Sequence, residues 1–217
     1  GIVYFGSGEW LYAVDAETGE EEWDDNSPFD TITSSTVVGG TVYVGGVPPN
    51  LDDFDYNPVV YAVDGGTGSE EWVFDMGRDD IQHVSATVYR DTVYVNLVND
   101  VGHSLYAIDT VTGEGEQIIT SFVRDWESPA VAEGTVYYTR GGTYDEDSED
   151  HEGGELIARD AESESVDTKW VSDISGGDVS VPTVADGTVY IGTSESLFSS
   201  PEEEVGGMVY GLDADTG

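Results

Sequence analysis

The thirteen residues "LYAVDAETGEEEW", Leu11 to Trp23, return almost unchanged as "VYAVDGGTGSEEW", Val60 to Trp72. Related segments are "LYAID" ending at Asp109, "LIARD" at Asp160 and "VYGLD" at Asp213. Between the anchoring aspartates, Asp15, Asp64, Asp109, Asp160 and Asp213, the step is about 50 residues, the range in which one repeat is one supersecondary unit. A second motif keeps the same rhythm: "GIVYFG", "GTVYVGG", "DTVYVN", "GTVYYT" and "GTVYIGT". The chain therefore holds five copies of one unit, and this repetition limits what it can fold into more than any single residue does.

Valine, isoleucine, tyrosine and threonine cluster in runs of strand length, and no helical period is visible. A further short run precedes each internal "TVY", and the two are separated by Gly39-Gly40, Arg90-Asp91, Glu133-Gly134 or Asp186-Gly187. Two-residue connections of this composition predict tight hairpins. After the aspartate, Gly19, Gly68 and Gly113 stand where a second turn needs positive φ. Four antiparallel strands in a meander, repeated at this length, predict an all-β chain built of β-propeller blades. Approximate blade limits are 1–23, 24–72, 73–118, 119–170 and 171–217. The first and last look incomplete, so the expectation is one propeller domain that is part of a seven- or eight-bladed ring, with a closed five-bladed ring as the alternative.

"AVDAETGEEEW" and "AVDGGTGSEEW" resemble the tryptophan-docking motif of the pyrroloquinoline-quinone repeat family, which includes quinoprotein alcohol dehydrogenases and the bacterial outer-membrane assembly lipoprotein BamB. The resemblance assigns structural docking roles to Ala13, Gly19, Trp23, Ala62, Gly68, Trp72 and Trp170, with the tryptophans fastening one blade to the next. The third copy has Gln117 where the tryptophan belongs. The fourth has Glu164 in place of the glycine and reaches Trp170 two residues late.

The chain carries 46 Asp plus Glu against 6 Lys plus Arg, a formal charge of -40. A content of 38% hydrophobic residues in strand patterns argues against disorder. The composition resembles that of extremely halophilic proteins of the haloarchaeal type, whose self-repulsion is screened in molar salt. So acidic a surface disfavours nucleic acid and anionic membranes. No run is long enough to span a bilayer, so direct membrane insertion is not expected. There is no cysteine, and hence neither a disulfide nor a thiolate metal site.

The second-to-third and inter-blade connections are long and leave from one rim, the usual binding side of a repeat protein. Three features lie there. "YDEDSEDHE" offers Asp145, Asp147, Glu149 and Asp150 as hard oxygen ligands for calcium or magnesium; "NLDDFDYN", with Asp52, Asp53 and Asp55, is a weaker version. Arg78, Arg124 and Arg140 could hold a carboxylate-bearing ligand. Trp126, in "RDWES", could stack on a planar one. The bland alternatives are a solvated acidic loop, local ion pairs with Asp79, Asp80 and Asp125, and a packing tryptophan. His83, His103 and His151 are dispersed and show no catalytic or metal-binding spacing.

For the family's enzymes the resemblance implies quinone and calcium at the propeller axis, an aspartate base and usually an adjacent-cysteine disulfide. This sequence has no such cysteines and no matching base motif. The expectation is a non-catalytic, protein-binding or assembly scaffold with no cofactor, in an extracytoplasmic or cell-surface setting. The alternatives are a PQQ- and calcium-dependent dehydrogenase, or a ligand-binding sensor domain of a larger protein.

Overall fold

The computed structural model describes residues 1–8, 10–25, 31–47, 58–77, 81–99, 102–121, 129–140, 144–145, 150–151, 154–161, 167–175, 179–193 and 207–217. These residues contain strands and turns and no helix, so none is long and apolar enough to cross a membrane as a helix. The chain separates into two compact units, Gly1–Ser121 and Phe122–Gly217.

The first unit holds three sheets. β1 (Ile2–Ser7), β2 (Trp10–Asp15) and β3 (Glu21–Asp25) form a three-stranded meander. β4 (Thr31–Val38), β5 (Thr41–Val47), β6 (Val59–Asp64) and β7 (Glu70–Asp75) form the second sheet, in that order. β8 (Ile81–Tyr89), β9 (Thr92–Asn99), β10 (Gly102–Asp109) and β11 (Gly115–Ser121) form the third. The first strands of successive sheets lie side by side, β4 against β8, while β1 lies against β4.

In the second unit, β12 (Ala130–Ala132) and β13 (Thr135–Arg140) are followed by a small hairpin of β14 (Tyr144–Asp145) and β15 (Asp150–His151). β16 (Gly154–Asp160) and β17 (Thr168–Ile174) complete the fourth sheet, in the order β12-β13-β16-β17. β18 (Thr183–Ala185), β19 (Thr188–Thr193) and β20 (Met208–Asp213) form the fifth. Here too first strands adjoin, β12 beside β18.

All pairing among the described residues is antiparallel, and three of the four tight turns carry the expected backbone, while in the fourth Arg90 alone has positive φ, 52°. Gly39 and Gly40 have φ of 65° and 98°, Glu133 and Gly134 49° and 72°, and Asp186 and Gly187 49° and 72°. Both central residues at positive φ is the turn whose twist matches that of a hairpin. β6 shows why its residues are apolar in unbroken succession. Val60 and Ala62 pack into a cluster with Val84, Val93, Val95 and Ile108 of the third sheet. Val59, Tyr61 and Val63 point the other way and join Leu11 of the first. A strand with neighbours on both faces has no solvent side, and each buried valine contributes roughly 1.5–3 kcal/mol. In the second unit, Tyr137, Leu156 and Ala158 pack in the same way on Val189, Ile191 and Ala214.

Candidate functional site

The residues shared by the repeats converge on one contact between adjacent sheets. Trp23 is directly opposite Ala13, Trp72 opposite Ala62 and Trp170 opposite Ala158. In each pair the register slips by one residue just before the tryptophan, leaving Glu22, Glu71 or Lys169 as the extra residue of a β-bulge. A bulge bends the outer strand and re-aims the side chain beside it. The bulge is the same in all three sheets, so the two-residue lag of Trp170 falls in the connection between Asp160 and Thr168, and Trp170 ends at the same register position as the other two.

Each indole donates its Nε1–H to the carbonyl of the residue that follows the anchoring aspartate of the next sheet. Trp23 reaches Gly65 at 2.9 Å, Trp72 reaches Thr110 at 2.9 Å and Trp170 reaches Ala214 at 3.0 Å. The accepting residue is itself held, since the N–H groups of Gly65, Thr110 and Ala214 donate to the carbonyls of Gly40, Asp91 and Gly187. A tyrosine two strands before the tryptophan in its sheet flanks each indole, with ring centroids 5.8 Å apart for Tyr4 and Trp23, 5.8 Å for Tyr43 and Trp72, and 5.9 Å for Tyr137 and Trp170. The hydroxyls of Tyr4 and Tyr137 donate to the same carbonyls as their tryptophans, at 2.8 and 3.1 Å. Burial raises the pKa of Tyr43 and Tyr137 above the usual phenol value.

Beneath the rings lies a glycine. A Cβ on Gly68 would stand 2.9 Å from Trp23, one on Gly113 2.7 Å from Trp72, and one on Gly217 2.9 Å from Trp170. These glycines also have φ of 72°, 69° and 80°. The position therefore requires glycine for two independent reasons, backbone conformation and close approach. Gly19 has the same conformation, φ 71°, with open space where its Cβ would be.

The anchoring aspartates hold the turn that carries this glycine. Oδ1 of Asp64 accepts from the backbone of Gly66 and Thr67 and from the Thr67 hydroxyl, at 3.1, 2.8 and 2.8 Å. Asp109 and Asp213 make the same three bonds, and Asp15 makes the two backbone ones. Hydrogen bonds from the threonine three residues on, followed by those of the residue between, hold all four carboxyls below the usual aspartate pKa.

The third sheet departs from this pattern. Gln117 is opposite Tyr106, and its Nε2 donates to Ser104 Oγ of its own sheet at 2.9 Å. Its bulge residue is Ile118, which follows the glutamine instead of preceding it. In the sequence, Gln117 stands where the next tryptophan would be and Glu164 where the next glycine would be. Glu164 lies outside the described residues.

Of the other candidates, Arg78, Arg124, Trp126, Asp147 and Glu149 lie outside the described residues, as do Asp52, Asp53 and Asp55. Arg140 ends β13. Asp145 and Asp150 face each other in the β14–β15 register, and His151 pairs with Tyr144; the side chains of these residues are outside the described set. Among the described residues no three acidic or histidine side chains gather as metal ligands. A groove of about 430 Å³ opens between the second and third sheets, lined by Thr41, Glu71, Arg90, Asp91 and Thr110. The Thr41 hydroxyl donates to Glu71 there at 3.1 Å.

The sequence reading missed the bulge, the tyrosine beside each indole and the work of the aspartate. The signal for the last two was present, since tyrosine recurs in the "TVY" run and Asp-x-x-Thr recurs in four copies.

Solved structures share this architecture. BamB from Moraxella catarrhalis is similar over 100% of this chain and 55% of its own, with TM-score 0.57 and 19% identity. The quinohemoprotein alcohol dehydrogenase from Comamonas testosteroni is similar over 88% and 38%, with TM-score 0.59 and 16% identity. The Dos1 propeller is similar over 89% and 50%, with TM-score 0.59 and 12% identity. The chain folds as β-propeller blades. It spans about half the length of the solved BamB chain. No protein-family model matches the sequence, and no curated protein matches it.

Proposed function

We propose that this chain is a non-catalytic β-propeller segment that binds protein partners or supports an assembly, at high salt and outside the cytoplasm. The observation that carries the reading is the division of labour along each sheet. The residues common to the repeats serve the contact between sheets, through Trp23, Trp72 and Trp170, and the turns that support it. The variable connections, residues 48–58, 141–153 and 194–207, all leave from the end of the sheet opposite the tight turns. In each sheet the end with the tight turns is thus uniform and the opposite end is free to differ, as in repeat proteins that bind along one face. The resemblance to BamB agrees with this role.

The chain has no cysteine for the disulfide that the resemblance implies for the quinone enzymes. A titration with pyrroloquinoline quinone and calcium in molar KCl, followed by tryptophan fluorescence, tests the proposal. No saturable change in the folded protein supports the scaffold; one-to-one binding overturns it in favour of a dehydrogenase. For the salt setting, the unfolding temperature should climb as KCl rises from dilute to molar, because screening at about 1 M reduces the reach of like charges to roughly 3 Å. A temperature independent of KCl would contradict that part.

A further inference from the structure

The second and fourth sheets carry bulge residues of opposite charge. In β17 the bulge residue is Lys169, whose ammonium donates to the Thr135 hydroxyl at 2.6 Å and to the Gly134 carbonyl at 3.4 Å. That carbonyl accepts from the Ala161 N–H at the same time, as the Gly40 carbonyl accepts from Gly65. In the second sheet Gly40 and Thr41 take the places of Gly134 and Thr135 at the start of β5, and the bulge residue is Glu71. The acceptors of an ammonium are kept there, and a carboxylate stands where the fourth sheet has the ammonium itself. The Thr41 hydroxyl gives its proton to Glu71 Oε2 at 3.1 Å, which leaves its lone pairs to accept. The groove of about 430 Å³ begins beside this pair, with Val38, Thr41 and Glu71 on the second-sheet side and Arg90, Asp91 and Val111 on the third. Its volume is that of a small-ligand site. Val38 and Val111 are 43% and 80% exposed, so apolar surface adjoins the carboxylate. Two carboxylates against one guanidinium leave the lining net acidic, and Arg90 lies over the ring of Tyr89 in its own sheet, 5.1 Å from the centroid.

We propose that this groove binds a primary ammonium group on a short apolar stem, seated on Glu71, the Thr41 hydroxyl and the Gly40 carbonyl as Lys169 is seated in the fourth sheet. An ammonium has three donors and no acceptor, so three acceptors satisfy it, and the bond to the carboxylate is the strong one. The stem covers Val38 and Val111. A free alkylamine and a lysine side chain of another protein share this chemistry. The site lies at the tight-turn end of the sheets and holds whether or not the long connections bind protein.

The probe is n-butylamine, the lysine side chain without its backbone, titrated at neutral pH into the isotope-labelled 217-residue chain in molar KCl. Butanol serves as the uncharged isostere and tetramethylammonium as a cation without donors. Expected are saturable shifts of the Thr41 and Thr110 amide signals, and affinity at least about tenfold weaker for butanol, for tetramethylammonium and for butylammonium on Glu71→Gln. Glu71→Lys should abolish binding, because it supplies the ammonium from within. Glu71 is exposed, so both variants keep the fold. Absent saturation, equal binding of butanol, or undiminished binding to Glu71→Lys would overturn the proposal. A capped peptide with a single lysine separates the two sources: displacement of butylammonium at lower concentration assigns the groove to a partner's lysine, and weaker displacement assigns it to a free amine.

Discussion

Trp72 and Gln117 hold the same place in consecutive repeats and act in opposite directions. Trp72 leaves its own sheet, donates to Thr110 and lies on Gly113. Gln117 turns back and donates to Ser104 in the strand beside it. The bulge explains the difference in aim, since it precedes the residue in one case and follows it in the other. A repeat can therefore keep its strands, hairpins and aspartate turn while this side chain turns toward its own sheet. Framework and fastening are separable parts of this sequence.

The largest test of that separation is Trp72→Ala. Removing a buried tryptophan from the cluster with Val84, Val93 and Tyr106 should cost about 3–5 kcal/mol in urea unfolding. A cost near that of an exposed residue would remove the fastening from the account. Next is Gly113→Ala, where the new methyl meets Trp72 and the backbone is left-handed, with an expected loss of about 1–3 kcal/mol. Gln117→Ala should cost about 1 kcal/mol or less, the ordinary net value of one hydrogen bond. If it matched Trp72→Ala, the two positions would be doing the same job.

The smallest single-residue effect belongs to the aspartate turns, which are solvent-exposed. Their folded pKa values lie below the unfolded ones, so the stability they contribute is complete above the unfolded value and is lost as pH falls through the folded value. Acid unfolding should therefore begin below about pH 4. Asp64→Asn should flatten that limb slightly, as read from ellipticity against pH; an unchanged limb would separate the turn from acid stability.

Strands, tight turns and blade class were legible because they depend on residue types that recur at fixed spacing, such as Gly39-Gly40 and the valines of β6. The bulge was not. Glu22, Glu71 and Lys169 resemble ordinary exposed residues, and an extra residue in one strand leaves no compositional mark. Nor could one repeat say which carbonyl its tryptophan would find, because the acceptors Gly65, Thr110 and Ala214 share a position and no side chain. The arginine and acidic-loop candidates rested on residue type and on their place in the long connections, and Arg78, Arg124, Trp126, Asp147 and Glu149 stay outside the described residues.

The most direct measurement is a double-mutant cycle of Trp72→Ala and Gly113→Ala, with unfolding free energies taken in molar KCl. If the indole rests on that glycine, removing the ring relieves the clash, and the two changes together cost about 1–2 kcal/mol less than the sum of each alone. Additivity within about 0.5 kcal/mol would mean that the two residues do not touch in solution, and that the repeated motif does not fasten one sheet to the next.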